Sequence, residues 1–73
     1  MEIEINVTYA RTQKVQVPAE LAPSAEWVYP NREKFDEWVA SQADELSKDP
    51  EQPDWVSTEA FDTETWCSVY EIG

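Results

Sequence analysis

The sequence predicts an α+β fold, a small antiparallel β-sheet in the order β-β-α-β-β with one helix packed on a face. Three observations predict it: strict alternation over residues 2–9, a helical repeat from about Arg32 to Lys48, and renewed strand character toward Ile72. With 73 residues the chain is expected to form a single domain, 1–73. Roughly 60–65% of the unfolded surface can be buried at this size, so the core is thin. Four Trp, three Tyr and two Phe suit such a core, because each fills much volume from one position.

The first strand follows from period two. Ile3, Ile5, Val7 and Tyr9 share one face, while Glu2, Glu4, Asn6 and Thr8 share the other. Residues 12–17 continue as a second strand with Val15 and Val17 inward. The short Ala10-Arg11 connection makes the pair an antiparallel hairpin, although no Asn-Gly or Asp-Gly turn sets its register. Pro18 ends the strand because it has no N–H for the ladder. Pro18, Pro23 and Pro30 then punctuate an irregular stretch, with a turn or short helix expected around Ser24–Val28.

Asn31 is a good N-cap for the helix. Phe35, Trp38, Val39, Gln42, Ala43 and Leu46 recur at helical spacing and form its apolar face. Asp49-Pro50 closes it, since a residue before proline is pushed out of the α region. An acidic, proline-rich loop covers residues 49–54. Trp55–Thr58 is expected as a short strand and Thr63–Ile72 as a long final one. In that last strand Trp66, Tyr70 and Ile72 are placed on one face, Cys67 and Val69 on the other.

Composition narrows the chemistry. Histidine is absent, which removes the commonest general base near neutral pH and the commonest metal ligand. Cys67 is the only cysteine, so disulfides within the chain and paired-thiolate zinc sites are impossible. It is expected to be a buried structural thiol, because acidic neighbours disfavour the thiolate. No catalytic residue, cofactor or metal site is therefore expected, and the chain is read as a binding protein rather than an enzyme. Residues 1–20 have neither a basic nor an apolar leader segment, and no apolar run reaches the roughly 18 residues of a membrane span. The expected location is cytoplasmic. Asn6-Val7-Thr8 matches a glycosylation sequon but falls inside a strand.

The net charge is −11, and it is unevenly spread. Residues 1–34 hold five acids and four bases, whereas residues 35–73 hold eleven acids and only Lys48. Such a surface repels nucleic acid and anionic membranes and steers basic partners inward. Glu33, Asp36, Glu37 and Asp44 cluster on the polar side of the helix, at about 100° per residue. Lys48 stands four residues after Asp44, a favourable pair. Asp49, Glu51, Asp54, Glu59, Asp62 and Glu64 form a second acidic series. Calcium is disfavoured for Asp49, Glu51 and Asp54, since the 12-residue loop with its central glycine is missing and the one Gly is Gly73. Rows of carboxylates imitate a nucleic-acid backbone, and clusters of Arg and Lys that grip phosphates also accept them. Among the aromatics, Phe35, Trp38, Trp66 and Tyr9 are expected in the core. Trp27, Tyr29, Trp55 and Phe61 lie in segments without clear periodicity, where exposed Trp and Tyr make good docking points.

In length, in the excess acid of residues 35–73 and in its lack of catalytic groups, the chain resembles the small acidic proteins with which phages and mobile elements block host defence. That class includes anti-CRISPR proteins and nucleic-acid mimics. The resemblance implies a phage-type stoichiometric inhibitor whose carboxylates occupy a basic DNA- or RNA-binding groove of a host complex. The expected partner-binding residues are Glu33, Asp36, Glu37, Asp44, Asp49, Glu51, Asp54, Trp27 and Tyr29. Two other readings stand beside it. One is an accessory module docking through exposed aromatics; the other is a halophile-adapted domain, against which the lopsided charge argues.

Overall fold

A computed structural model describes residues 1–8, 11–48 and 57–72. The order is β1 (Glu2–Val7), β2 (Thr12–Gln16), α1 (Arg32–Leu46), β3 (Thr58–Asp62) and β4 (Ser68–Ile72). The four strands make one antiparallel sheet in the order β2-β1-β3-β4, so the expected β-β-α-β-β fold is the one observed. Both β2 and β3 run antiparallel to β1 and hence parallel to each other. The helix is the crossover between them.

β1 is central because its alternation is the cleanest in the chain. Ile3 and Ile5 are fully buried and Val7 nearly so, while Glu2, Glu4 and Asn6 are half-exposed on the opposite face. Lacking a turn sequence that sets register, the first hairpin is held by its backbone ladder, closed by the Val7 amide donating to the Arg11 carbonyl at 3.1 Å, with outward side chains adding to it. The Thr12 hydroxyl donates to Asn6 Oδ1 at 2.6 Å, and the Gln16 amide donates to Glu2 at 3.3 Å. Tyr9, expected inward, lies outside the described residues. After β2, the Pro18 carbonyl accepts from the Leu21 and Ala22 amides, turning the chain away from the sheet.

The helix starts where its cap places it, with Asn31 Oδ1 accepting from the Lys34 amide at 3.1 Å. It ends at Leu46, with Ser47 as the C-cap. Phe35, Val39, Ala43 and Leu46 meet Ile3, Ile5, Val7, Val17, Ala60 and Val69 in the core. Trp38 packs on the edge of that cluster, partly buried, with its ring 6.5 Å from Phe35. No helix among the described residues is long and apolar enough to cross a membrane.

The C-terminal third departs from expectation. The third strand is Thr58–Asp62, not Trp55–Thr58, whose first two residues lie outside the described ones. The long strand expected over Thr63–Ile72 is instead a five-residue loop, residues 63–67, followed by β4. The polar run Asp62-Thr63-Glu64-Thr65 makes a tight reversal: the Trp66 amide bonds the Asp62 carbonyl at 2.7 Å, and the Asp62 amide bonds the Cys67 carbonyl at 3.0 Å. Trp66 sits at φ 57° and is 58% exposed, so it is a loop residue and not part of the core. Cys67, expected buried, is exposed beside it for the same reason. The pairing of β3 with β4 slips between Ala60 and Phe61, so Val69 of β4 is an extra residue opposite them. This bulge turns Val69 into the core beside Tyr70, where simple alternation had put the two on opposite faces. Tyr70 and Ile72 keep the helix side, opposite Ala60 and Thr58, but Ile72 remains 58% exposed at the sheet edge.

Candidate functional site

Among the described residues, three surfaces hold acids that matter here. On the helix, Glu33, Glu37 and Asp44 follow one another at i, i+4 and i+11, with Ala40 between, and so form a single stripe. All three are exposed, and none is in an ion pair among the described residues. Glu33 lies in the first turn, where the helix dipole offsets part of its repulsion with Glu37.

Asp36 is different. Its Oδ1 accepts from Arg32 Nε at 2.9 Å. The same guanidinium lies 4.4 Å from the centre of the Tyr29 ring, and its other arm donates to the Val69 carbonyl at 2.9 Å. Tyr29 in turn packs on Phe35, with 4.9 Å between ring centres. Arg32 thus clips the approach segment, the helix and the β4 bulge together. Burial pushes the Tyr29 hydroxyl above its ordinary range; Arg32 pulls it down and Asp36 raises it. Asp36 and Tyr29, two of the expected contact residues, are therefore engaged by Arg32 within the protein, and both remain part-exposed.

At the far end of the helix Lys48 pairs with Glu45 at 2.8 Å, not with Asp44. That contact raises the Lys48 pKa, to which Asp44 adds least. The helix stops at Leu46, so Lys48 does not occupy the helical i+4 position that would pair it with Asp44. Asp49, Glu51 and Asp54 of the expected site, and Trp55, lie outside the described residues.

The second surface is the sheet face turned away from the helix. Register places Glu4 between Lys14 and Phe61, and Glu59 between Asn6 and Glu71. Glu59 and Glu71 are directly opposed like charges, an arrangement that costs stability. The alternation of β1 placed Glu2 and Glu4 outward, but that they share a face with Glu59 and Glu71 required the strand pairing.

The third surface joins two reversals. Ser24–Val28 is a turn in which the Trp27 amide bonds the Ser24 carbonyl at 2.9 Å and the Ser24 amide bonds the Val28 carbonyl at 3.0 Å. Such a loop closes with a left-handed residue, usually glycine; here it is Trp27, at φ 60°. Trp27 is 37% exposed. Between this turn and the Thr63–Trp66 loop lies a cavity of about 370 Å³, lined by Trp27, Pro23, Met1, Asp62, Glu64 and Thr65 among others. Asp62 is 6% exposed, and among the described residues its carboxylate accepts one hydrogen bond, from Thr65 Oγ1 at 2.8 Å. No group of three or more His, Cys, Asp or Glu among the described residues is arranged to hold a metal ion.

No protein-family model matches this chain, and no curated protein or solved structure matches it either.

Proposed function

We propose that this protein is a non-catalytic inhibitor of the phage type, whose acidic surface takes the place of nucleic acid in the basic groove of a host defence complex. One observation carries the reading: apart from Glu4 opposite Lys14 and the Asp36 and Glu45 pairs, the exposed carboxylates among the described residues are arrayed without matching bases. Among the described residues only Asp36 and Glu45 are in ion pairs, while Glu33, Glu37, Asp44, Glu59, Glu64 and Glu71 are exposed and outside any. A surface serving solubility alone usually intersperses both signs. Here like charges face each other across β3 and β4 at a cost in stability, which is understandable if a partner supplies the compensating cations.

The sites of contact are then the Glu33–Glu37–Asp44 stripe and the face bearing Glu59 and Glu71, with the loop acids Asp49, Glu51 and Asp54 beside them in sequence. Asp36 and Tyr29 support the stripe through Arg32. The test is charge reversal of Glu33, Glu37 and Asp44 together to Lys. All three are exposed, so circular dichroism should report an unchanged fold. Affinity for a target captured from bacterial lysate should fall by roughly hundredfold or more, given the size of close charge-pair couplings. Unchanged affinity removes the helix stripe from the account.

A further inference from the structure

We propose that the cavity between the Ser24–Val28 turn and the Thr63–Trp66 loop receives an arginine side chain of a partner protein. The inference deepens the reading above and rests on it only in taking the partner to be basic.

The cavity lies at the end of the sheet marked by Ile3 and Asp62, opposite the end where Val7 pairs with Thr58. Its volume of about 370 Å³ far exceeds that of a water site and falls in the range of small ligand pockets. Its chemistry is specific. Asp62 is almost wholly buried and lines the cavity, yet no base among the described residues forms an ion pair with it. Thr65 satisfies one of its oxygens. A buried carboxylate with so few donors is costly unless another arrives. Glu64 adds a second carboxylate to the lining, from the exposed part of the loop.

Trp27 decides which cation fits. A planar guanidinium can lie against an indole while donating in its own plane to a carboxylate. An ammonium is more strongly hydrated and offers no flat face. Within the molecule Arg32 already shows this chemistry, lying over Tyr29 while donating to Asp36. The cavity holds an aromatic ring and acids of the same kind without the arginine.

The test uses the full chain labelled with ¹⁵N, titrated with a blocked arginine tripeptide, its citrulline counterpart and its lysine counterpart. The arginine peptide should give saturable shifts at the Trp27 indole and at the Glu64 and Thr65 amides. Citrulline keeps the shape and loses the charge, and should bind roughly tenfold more weakly or worse; lysine should fall between them. Glu64→Gln, on an exposed loop, should weaken arginine binding severalfold with the fold intact, as should Trp27→Ala. Asp62→Asn should abolish it, and Glu64→Gln keeps the test decisive if that variant is unstable. Equal response to citrulline, no response at the cavity, or shifts confined to Glu33, Glu37 and Asp44 would overturn the proposal. The last outcome would leave the inhibitor reading standing. Conversely, arginine binding here with no nucleic-acid-competitive target in the cell would sink that reading and not this one.

Discussion

Among the described residues, Arg32 ties together more of the protein than any other charged side chain, and its long-range contact is not announced by its neighbours in sequence. It reaches the Val69 carbonyl 37 residues away, lies over Tyr29 and pairs with Asp36. Only a guanidinium can make these contacts together, since lysine lacks both the fork and the flat face. Its side chain is half exposed, so the pair with Asp36 counts for little by itself. The stacking and the carbonyl bond are the larger part. Arg32→Lys should therefore lower stability by about 1 kcal/mol in denaturant melts, and Arg32→Ala by somewhat more. Tyr29 supplies a pH signature of the same cluster. Its folded-state pKa is raised, chiefly by burial, so the fold holds its proton more tightly than the unfolded chain does. That contribution is complete below the ordinary value of 10.0 and is lost as pH rises through the higher folded value. Melts carried from neutral pH to above 10.0 should show an alkaline loss of stability that is smaller in Tyr29→Phe.

At the scale of elements, legibility in the sequence tracks how plainly side chains declare their face. β1 and α1 could be read because Ile3, Ile5 and Val7, and Phe35, Val39, Ala43 and Leu46, repeat at the right periods and are all buried. β3 could not. Its inward positions are Thr58, Ala60 and Asp62 and its one large apolar residue, Phe61, faces the other way, which inverts the usual pattern. β4 was misread where the bulge reverses the alternation at Val69. The two turns closed by Trp27 and Trp66 hid for a related reason: a left-handed position normally announces itself by glycine or asparagine. A tryptophan there costs about 1–2 kcal/mol in backbone strain. Since Trp66 is largely exposed, Trp66→Gly loses little packing and relieves that strain, against some added freedom in the unfolded chain. Its stability should be unchanged or higher by up to about 1 kcal/mol. By contrast Phe35→Ala, which empties the fully buried centre of the core, should cost about 3–5 kcal/mol. A comparable loss in Trp66→Gly would mean that the loop tryptophan carries packing that its exposure does not indicate.

For the whole molecule, the charge asymmetry survives folding but changes shape. Glu33, Glu37 and Asp44 were readable as a helix stripe from spacing alone. The engagement of Asp36 and Tyr29 by Arg32, and the opposition of Glu59 and Glu71, needed tertiary structure, because the first depends on the Arg32 side chain's placement and the second on strand pairing. Among the described residues the acids therefore spread over the helix, the outer sheet face and the C-terminal hairpin loop instead of one continuous segment. On the proposed reading such a distribution would meet a broad basic groove, with the cavity at Asp62 and Trp27 as the proposed place for one arginine of its rim. The most direct test is competition, measured on a target purified from lysate, between this protein and the nucleic acid that target binds. The account predicts mutually exclusive binding, with affinity for the acidic protein falling steeply between low salt and about 0.5 M. Simultaneous binding of both ligands, or an affinity indifferent to salt, would contradict it.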